Sequence, residues 1–507
     1  MKLYQKAEYP YRIYLGGEDA ELYTVVSNIT SKYSKETQDS DELSTIILLD
    51  KDNDPYTYIG LYSILKAEIL TMGFSVTIDL DLPSSFSTKL ANIDNNYLDG
   101  ITLRDYQIEA IKTCLDIKRG LVQSPTGSGK SEMIAGVCKY LLLNKQGNIL
   151  ICVPTTNLLY QTVDRLELRG IDKDDISAFG DGNTIDFNRR VLVATVASVY
   201  NSIVKESITH NDWYKNVLCT IMDEAHHSHC RTWSTIIDSI APEYILGFSA
   251  EPFNRTEDYL VTDLILRGIV GSIIYSVSID KLVKAGYLSK PYVIALDTTY
   301  NGNIMNIIDW QVVNKLGIIT NKSRNESIVT IANYLVSINK NPIILVAQIA
   351  HGETIAKMIS SYGYKVAFIT GGLNTTIYLD GRDIDNYKDK DGIVKTLFME
   401  NAIDVLIGTS TMDEGVDLPS LSSVILAGGS KSKLRIIQRI GRGLRPKKDD
   451  NTTVIIDFRD RFNVVLAKHH RLRKEMFDSL NIPVYYGKTI ENIAEIIKNF
   501  SEANSHT

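Results

Sequence analysis

The sequence predicts an α/β protein with two tandem parallel-sheet lobes behind a small N-terminal α+β domain. From about residue 118, short runs of Val, Ile and Leu alternate with amphipathic helical stretches, the pattern of a parallel sheet covered on both faces. That series occurs twice along the chain. Its 507 residues exceed what one ordinary core holds and suit two or three domains.

Residues 1–95 read as the α+β domain. "STIILLDKDNDPYTYIG" predicts a hairpin about the turn at Asp52–Pro55, "LYSILKAEILTMG" a short helix and "FSVTIDL" a strand. The first lobe is expected over 96–288, with strands "GLVQS", "NILICVP", "VLVATV", "CTIMDE" and "YILGFSA". "VKAGYLSKPYVIAL" (283–296) reads as the crossover, punctuated by Gly286 and Pro291. The second lobe follows over 289–480, with strands "PIILVA", "KVAFIT", "DVLIGTS", "SSVILAG" and "TTVIIDF". Residues 481–507 read as a C-terminal tail, helical and then polar. The insert 296–325 carries no role derivable from its residues.

Apolar content of 44% and charged content of 23% are those of a soluble globular protein. The start of the chain has no apolar signal core, and no apolar run reaches membrane-spanning length. Cys114, Cys138, Cys152, Cys219 and Cys230 lie mostly in apolar runs without a repeated CxxC pair, as buried thiols do in a reducing compartment. A cytoplasmic protein is expected, in the host cytoplasm if a phage encodes it. The net charge of −7 is uneven: residues 1–95 hold 8 Lys and Arg against 15 Asp and Glu, whereas residues 430–475 hold 14 against 5. A confined basic stretch in an acidic chain points to a local polyanion contact, or to a solvated helix face.

"SPTGSGKS" (124–131) stands between a strand and a helix. There, a glycine-rich turn through Ser124, Thr126, Gly127, Ser128 and Gly129 can aim backbone N–H groups at a phosphate, aided by the helix N-terminus. Lys130 supplies a point charge for the β- and γ-phosphates, and the Ser131 hydroxyl can ligate Mg²⁺. Such a cradle needs an acid at a nearby strand end to hold the metal, and Asp223, closing "CTIMD", is of that kind. Glu224 beside it can polarise the attacking water. "IMDEAHHSHC" (221–230) also offers Cys219, His226, His227, His229 and Cys230 as possible metal ligands. An Mg²⁺–ATP site accounts for its carboxylates without a second metal.

Taken together, these segments resemble superfamily 2 helicases and translocases over about residues 100–475. "LRDYQIEAI" (103–111) is similar to the segment in which Gln107, with Arg104 nearby, reads adenine. "SPTGSGKS" is similar to motif I, and "DEAH" (223–226) to motif II, which implies that His226 links the nucleotide site to the lobe interface. "FSAEP" (248–252) stands where the family has Ser-Ala-Thr, so Ser249 is the coupling residue and Glu251 replaces the threonine. "VPTTNLLYQ" and "ATVASV" resemble nucleic-acid motifs, implying contacts from Thr155, Thr156 and Thr195. "ITGG" and "GTSTMDEGVDLP" resemble motifs IVa and V, implying Thr409 and Ser410 at the nucleic acid and Gly415 and Asp417 at the nucleotide. "QRIGRGLRP" (438–446) resembles motif VI, implying Arg442 and Arg445 as arginine fingers supported by Gln438. Capping of helices is an equally physical use of the Ser and Thr residues.

The resemblance implies two RecA-like lobes, ATP and Mg²⁺ as cofactors, and DNA as partner. The compact layout looks most like phage UvsW-type branch-migration helicases, which implies branched or forked DNA (Holliday junctions, stalled forks) and a role in recombination, replication and repair, by a monomer. Duplex-stimulated translocation without strand separation and RNA unwinding are the alternatives. The acidic N-terminal domain is not a simple basic clamp, and its tyrosines are candidates for stacking on bases.

Overall fold

The computed structural model describes residues 1–37, 40–80, 93–206, 212–227, 230–253, 260–371, 374–388, 393–409, 422–429 and 451–504. The chain forms two compact units, residues 1–124 with 129–277, and residues 278–507 with 125–128.

The first unit holds two main sheets. Its N-terminal part comprises strands β1 (Lys2–Lys6) and β2 (Tyr9–Gly16), a hairpin of β3 (Ser34–Thr37) and β4 (Ser40–Thr45), then β5 (Leu48–Leu49), β6 (Pro55–Tyr58) and β7 (Thr77–Asp79). The sheet runs β5-β6-β2-β1-β7. The β5–β6 pair is the hairpin read about Asp52–Pro55. Strands β1 and β2 and the helix Asp19–Lys32 had no counterpart in that reading. Tyr14 pairs with Tyr56, and Arg12 with Tyr58, across neighbouring strands. Tyr14, Tyr56 and Tyr58 are buried, so these rings are core and do not offer faces to bases.

This sheet shares one apolar core with the helices Cys230–Ile240 and Leu260–Val270. Arg12 pairs with Asp238 at 2.7 Å, both side chains little exposed (12% and 11%), and the Tyr58 hydroxyl donates to the same carboxylate at 3.1 Å. A Cβ on Gly60 would lie 2.1 Å from the Arg267 carbonyl, so only glycine permits this approach of turn to helix. The N-terminal domain is thus joined by a continuous core to the lobe that follows it.

The larger sheet comprises β8 (Arg119–Gln123), β9 (Asn148–Val153), β10 (Ile176–Phe179), β11 (Val191–Thr195), β12 (Val217–Asp223), β13 (Tyr244–Ser249) and β14 (Ile273–Ser276). Its order is β10-β11-β9-β12-β13-β8-β14, with every pairing parallel. Every residue of β11 and β13 is buried, which is why these strands read as unbroken apolar runs and not as alternation.

In the second unit, β15 (Lys290–Asp297), β16 (Pro342–Leu345), β17 (Val366–Ile369), β18 (Asn374–Leu379), β19 (Arg382–Lys388), β20 (Val405–Gly408), β21 (Ser423–Leu426), β22 (Thr452–Arg459) and β23 (Val484–Gly487) form one sheet. The order is β19-β18-β17-β20-β16-β21-β22-β15-β23, parallel except for the antiparallel β18 and β19.

Three expectations change here. The second half of the stretch read as a crossover is β15, paired along its length with β22. Residues 481–504 hold the expected helix but are packed as part of the sheet unit: β23 pairs with β15, and the helix Ile490–Asn504 buries Ile493, Ile497 and Phe500. The Phe500 ring stacks on Tyr292 at 3.9 Å. Third, the β18–β19 hairpin went unread, although Asp380-Gly381 is a turn signal. Both residues have positive φ, 50° and 74°, and Gly381 N–H donates to Ser360 Oγ at 3.2 Å.

Within the insert, Asn321 caps the helix Lys322–Ser337. Arg324, fully buried, donates to Asp460 at 3.1 Å and to the Ala427 carbonyl at 2.8 Å. Arg473 likewise joins Asp457 at 2.9 Å to the Phe458 carbonyl at 2.9 Å. Each guanidinium spends several of its fixed donors on buried acceptors, which makes its burial tolerable.

Candidate active site

Strand order assembles the site. β12, β13 and β8 are neighbours in that order, so their carboxyl ends place Asp223, Ser249 and Ser124 side by side although they are far apart in sequence. Ligands of parallel sheets bind beyond such ends. Ser124 N–H donates to the Ser249 carbonyl at 3.0 Å, tying the start of the glycine-rich turn to the middle strand.

The turn is wound tightly. Ser128 N–H donates to the Pro125 carbonyl at 3.2 Å, and Gly127 and Gly129 have φ of 83° and 82°. Gly129 is the N-cap of the helix Lys130–Asn144, which begins the helix with Lys130 and Ser131. A Cβ on Gly129 would sit 2.4 Å from Gln107 Nε2, so the glutamine amide lies directly against the turn. Gln107 is held there by its Oε1, which accepts from Arg104 N–H at 2.9 Å. The Arg104 guanidinium donates to the Tyr106 hydroxyl at 3.0 Å.

Lys130, largely buried, lies 3.5 Å from Glu224. Asp223 Oδ1 accepts from Glu224 N–H at 2.9 Å. Burial first, then the charge of Glu224, pushes the Asp223 carboxyl up to about 7 against the opposing pull of Lys130. Two acids facing one ammonium leave unbalanced negative charge, which suits a cation. Glu224 has φ of 49°, a left-handed conformation rare for a side chain with a Cβ and typical of functional turns. Its carboxylate is also 3.5 Å from His226 Nδ1, and that nitrogen is 2.8 Å from Ser249 Oγ. Ser249 Oγ further accepts from Glu251 N–H at 3.2 Å, an anchor made by the backbone of Glu251.

A triphosphate fits these residues. The turn presents glycine where a Cβ would intrude, Lys130 and the helix start supply positive potential, and Thr126 Oγ1 is buried without a hydrogen-bond partner.

Other expected site residues are placed differently. Thr155 Oγ1 accepts from Leu158 N–H at 3.4 Å and caps the helix Thr156–Leu168. Thr195 Oγ1 accepts from Ser198 N–H at 3.3 Å and donates to Ser198 Oγ at 2.7 Å. Both hydroxyls are engaged in local caps. Thr409, after β20, is buried. Ser410, Gly415, Asp417, Gln438, Arg442 and Arg445 lie outside the described residues, as do His229 and the side chains of His227 and Cys230. Cys114, Cys138, Cys152 and Cys219 are buried free thiols. Sequence reading missed the Arg324–Asp460 pair, whose partners are 136 residues apart, and the Arg473–Asp457 pair, which joins a helix to the strand before it.

Fold and site together define a nucleoside-triphosphatase with tandem RecA-like lobes. Two family models match: "Type III restriction enzyme, res subunit" over residues 100–254 and "Helicase conserved C-terminal domain" over residues 326–447. The chain belongs to superfamily 2 of the helicases, as an ATP-dependent, ATP-hydrolysing helicase or translocase. It is similar to the ATP-dependent DNA helicase uvsW of Enterobacteria phage T4, 26% identical over 360 residues, 70% of this chain and 68% of that one. It is also similar to the DNA 3'-5' translocase XPB2 of Sulfurisphaera tokodaii, 24% identical over 412 residues, 74% of this chain and 88% of that one. A putative HsdR subunit of a type I restriction enzyme from Vibrio vulnificus shares the fold, with TM-score 0.55, 16% identity, and 93% of this chain and 82% of that one covered. Among the described residues, no helix is long and apolar enough to cross a membrane.

Proposed function

We propose that the protein is an ATP-driven DNA motor that unwinds or branch-migrates branched DNA, such as four-way junctions and forks, in recombination and repair. The observation that supports this best is the continuous path from Lys130 through Glu224 and His226 to Ser249, two links at 3.5 Å and one at 2.8 Å. It joins a phosphate-binding lysine to the strand end where hydrolysis is coupled to movement in this superfamily.

In this reading Lys130 holds the β- and γ-phosphates, while Ser131 and Asp223 hold Mg²⁺. Glu224 orients and polarises the attacking water. Gln107 and Arg104 face the adenine, and Ser124, Thr126, Gly127, Ser128 and Gly129 line the phosphates. The bound ion neutralises charge that builds on the transferring phosphoryl group. Arg442 and Arg445 act as arginine fingers with Gln438 in support, and Gly415 and Asp417 complete the nucleotide contacts. Thr155, Thr156, Thr195, Thr409 and Ser410 lie along the nucleic-acid track, by backbone N–H where their hydroxyls are spent on caps. "DEAH" then marks a DEAH-box enzyme. It works as a monomer in the cytoplasm, of the host where a phage encodes it, with 96–288 and 289–480 as its motor lobes.

A mobile four-way junction with ATP tests the reading, with Lys130→Ala as control. Strand exchange by the wild type and none by the variant is expected. RNA-overhang unwinding without any junction activity would overturn it. The likeness to a relative named as a translocase favours one second reading, translocation on duplex DNA without strand separation. Strong duplex-stimulated ATP turnover with no strand products would select it.

A further inference from the structure

We propose that a shelf on the second unit, formed by Met305, Ile308, Trp310 and Val464 and rimmed by Lys468 and Arg471, is a stacking site for an unpaired base of single-stranded DNA. The inference rests on the DNA-motor reading and adds a contact that none of the helicase motifs contains.

The shelf is built and held. Asn463, fully buried, donates through its side-chain amide to the carbonyls of Ile304 at 2.6 Å and Ile307 at 2.9 Å. Val464 N–H donates to the Met305 carbonyl at 3.0 Å. Asp309 caps the helix Trp310–Asn314, accepting from Gln311 N–H at 2.8 Å. Beneath, Val313, Ile318 and Leu466 form a small core. The segment is therefore fixed, yet it leaves Ile308 78%, Val464 45%, Met305 44% and Trp310 37% exposed. A rigid display of clustered large apolar side chains marks an interaction site.

Position and charge favour nucleic acid over protein. The 298–309 loop leaves the carboxyl end of β15, and the helix Val464–Ser479 follows the carboxyl end of its parallel neighbour β22. This is the edge beyond which ligands of parallel sheets bind. Val464, Lys468 and Arg471 share one face of that helix by their spacing. Asp309, the acid of the loop, has its carboxylate engaged as a cap. Arg471 also lies 3.9 Å from Glu475 on the same helix, so Lys468 is the main cation of that face. Exposed aromatic surface combined with basic side chains is the composition that holds single strands without reading sequence. Trp310 is also braced from behind, its ring 4.9 Å from that of His469.

Trp213 and Trp233 are buried, so of the three tryptophans Trp310 is the exposed one, and fluorescence reads it directly. Titrating the full chain with a dT homopolymer should quench emission. Trp310→Phe should abolish most of the quench while binding persists. Trp310→Ala should weaken binding about tenfold with an unchanged unfolding midpoint, and Lys468→Ala should lower the salt slope by about one. Equal quenching in Trp310→Phe, or unchanged affinity in both Trp310→Ala and Ile308→Ala, overturns the proposal. So does a concentration-dependent dimer dissolved by Ile308→Asp, since a second copy would then own the shelf. If DNA stimulates wild-type ATP turnover while these variants behave as wild type, only the shelf fails. If no DNA stimulates turnover, the motor reading fails with it.

Discussion

His226 Nδ1 lies 2.8 Å from Ser249 Oγ, a bond between the turn that carries Glu224 and the end of the neighbouring strand. One imidazole thereby faces both the Glu224 carboxylate, at 3.5 Å, and the strand end that leads on to Glu251. Removing the hydroxyl deletes this bond and the one from Glu251 N–H, each worth about 1 kcal/mol, while Lys130, Asp223 and Glu224 keep their side chains. Ser249→Ala should keep ATP turnover within about threefold while junction processing falls at least about tenfold. Parallel measurement of phosphate release and strand exchange checks this, and an equal fall in both would assign Ser249 to hydrolysis itself.

Gly129 faces a different constraint, since its φ is 82° and a Cβ would strike Gln107. A left-handed residue with a Cβ costs about 1–2 kcal/mol, and the displaced amide adds to this. Gly129→Ala should weaken nucleotide binding about tenfold in a fluorescent-nucleotide titration. In a Gln107→Ala background the same change should cost less, because the clash is gone.

His351 is buried and its Nε2 lies 3.0 Å from Asn325 Oδ1. Burial, and after it the charge of Arg324, holds the imidazole down at about 3. The folded value lies below the unfolded 6.5, so its contribution is fully present above pH 6.5. That contribution is lost as pH falls from 6.5 toward 3, because only the unfolded chain takes up the proton. Between pH 7 and pH 5 this group alone should cost about 2 kcal/mol. Thermal unfolding at the two values should show that loss in the wild type and a smaller one in His351→Asn.

Truncation after residue 480 tests the C-terminal segment. Ile493, Ile497 and Phe500 are buried, each worth about 1.5–3 kcal/mol, and β23 leaves with them, exposing the edge of β15. The shortened protein should lose about 5 kcal/mol or more from the second unit and aggregate through the bared strand. Unfolding and sedimentation of the truncated chain would reveal a tail only if both matched the full-length protein.

The residues legible from sequence are those whose signal is local. "SPTGSGKS" announces itself because turn, charge and helix start are contiguous, and β9, β11, β12 and β13 because full or nearly full burial writes an apolar run. From sequence β15 reads as a crossover because Pro291, its second residue, is punctuation. The β18–β19 hairpin is not legible from sequence because "LNTTIYLDGRDIDNYK" is mostly polar.

By itself the sequence determined the α/β class, the two parallel series, the phosphate turn and the acidic strand end, since each follows from periodicity or from neighbours along the chain. Only the tertiary structure decided that β13 lies between β12 and β8, setting Ser249 between Asp223 and Ser124. It also decided that Tyr14, Tyr56 and Tyr58 are core, that the C-terminal segment closes a sheet edge, and that Trp310 stands on a held shelf. Strand order and docking depend on hydrogen bonds and apolar contacts between separate elements of the chain, and such pairings leave no mark on local pattern.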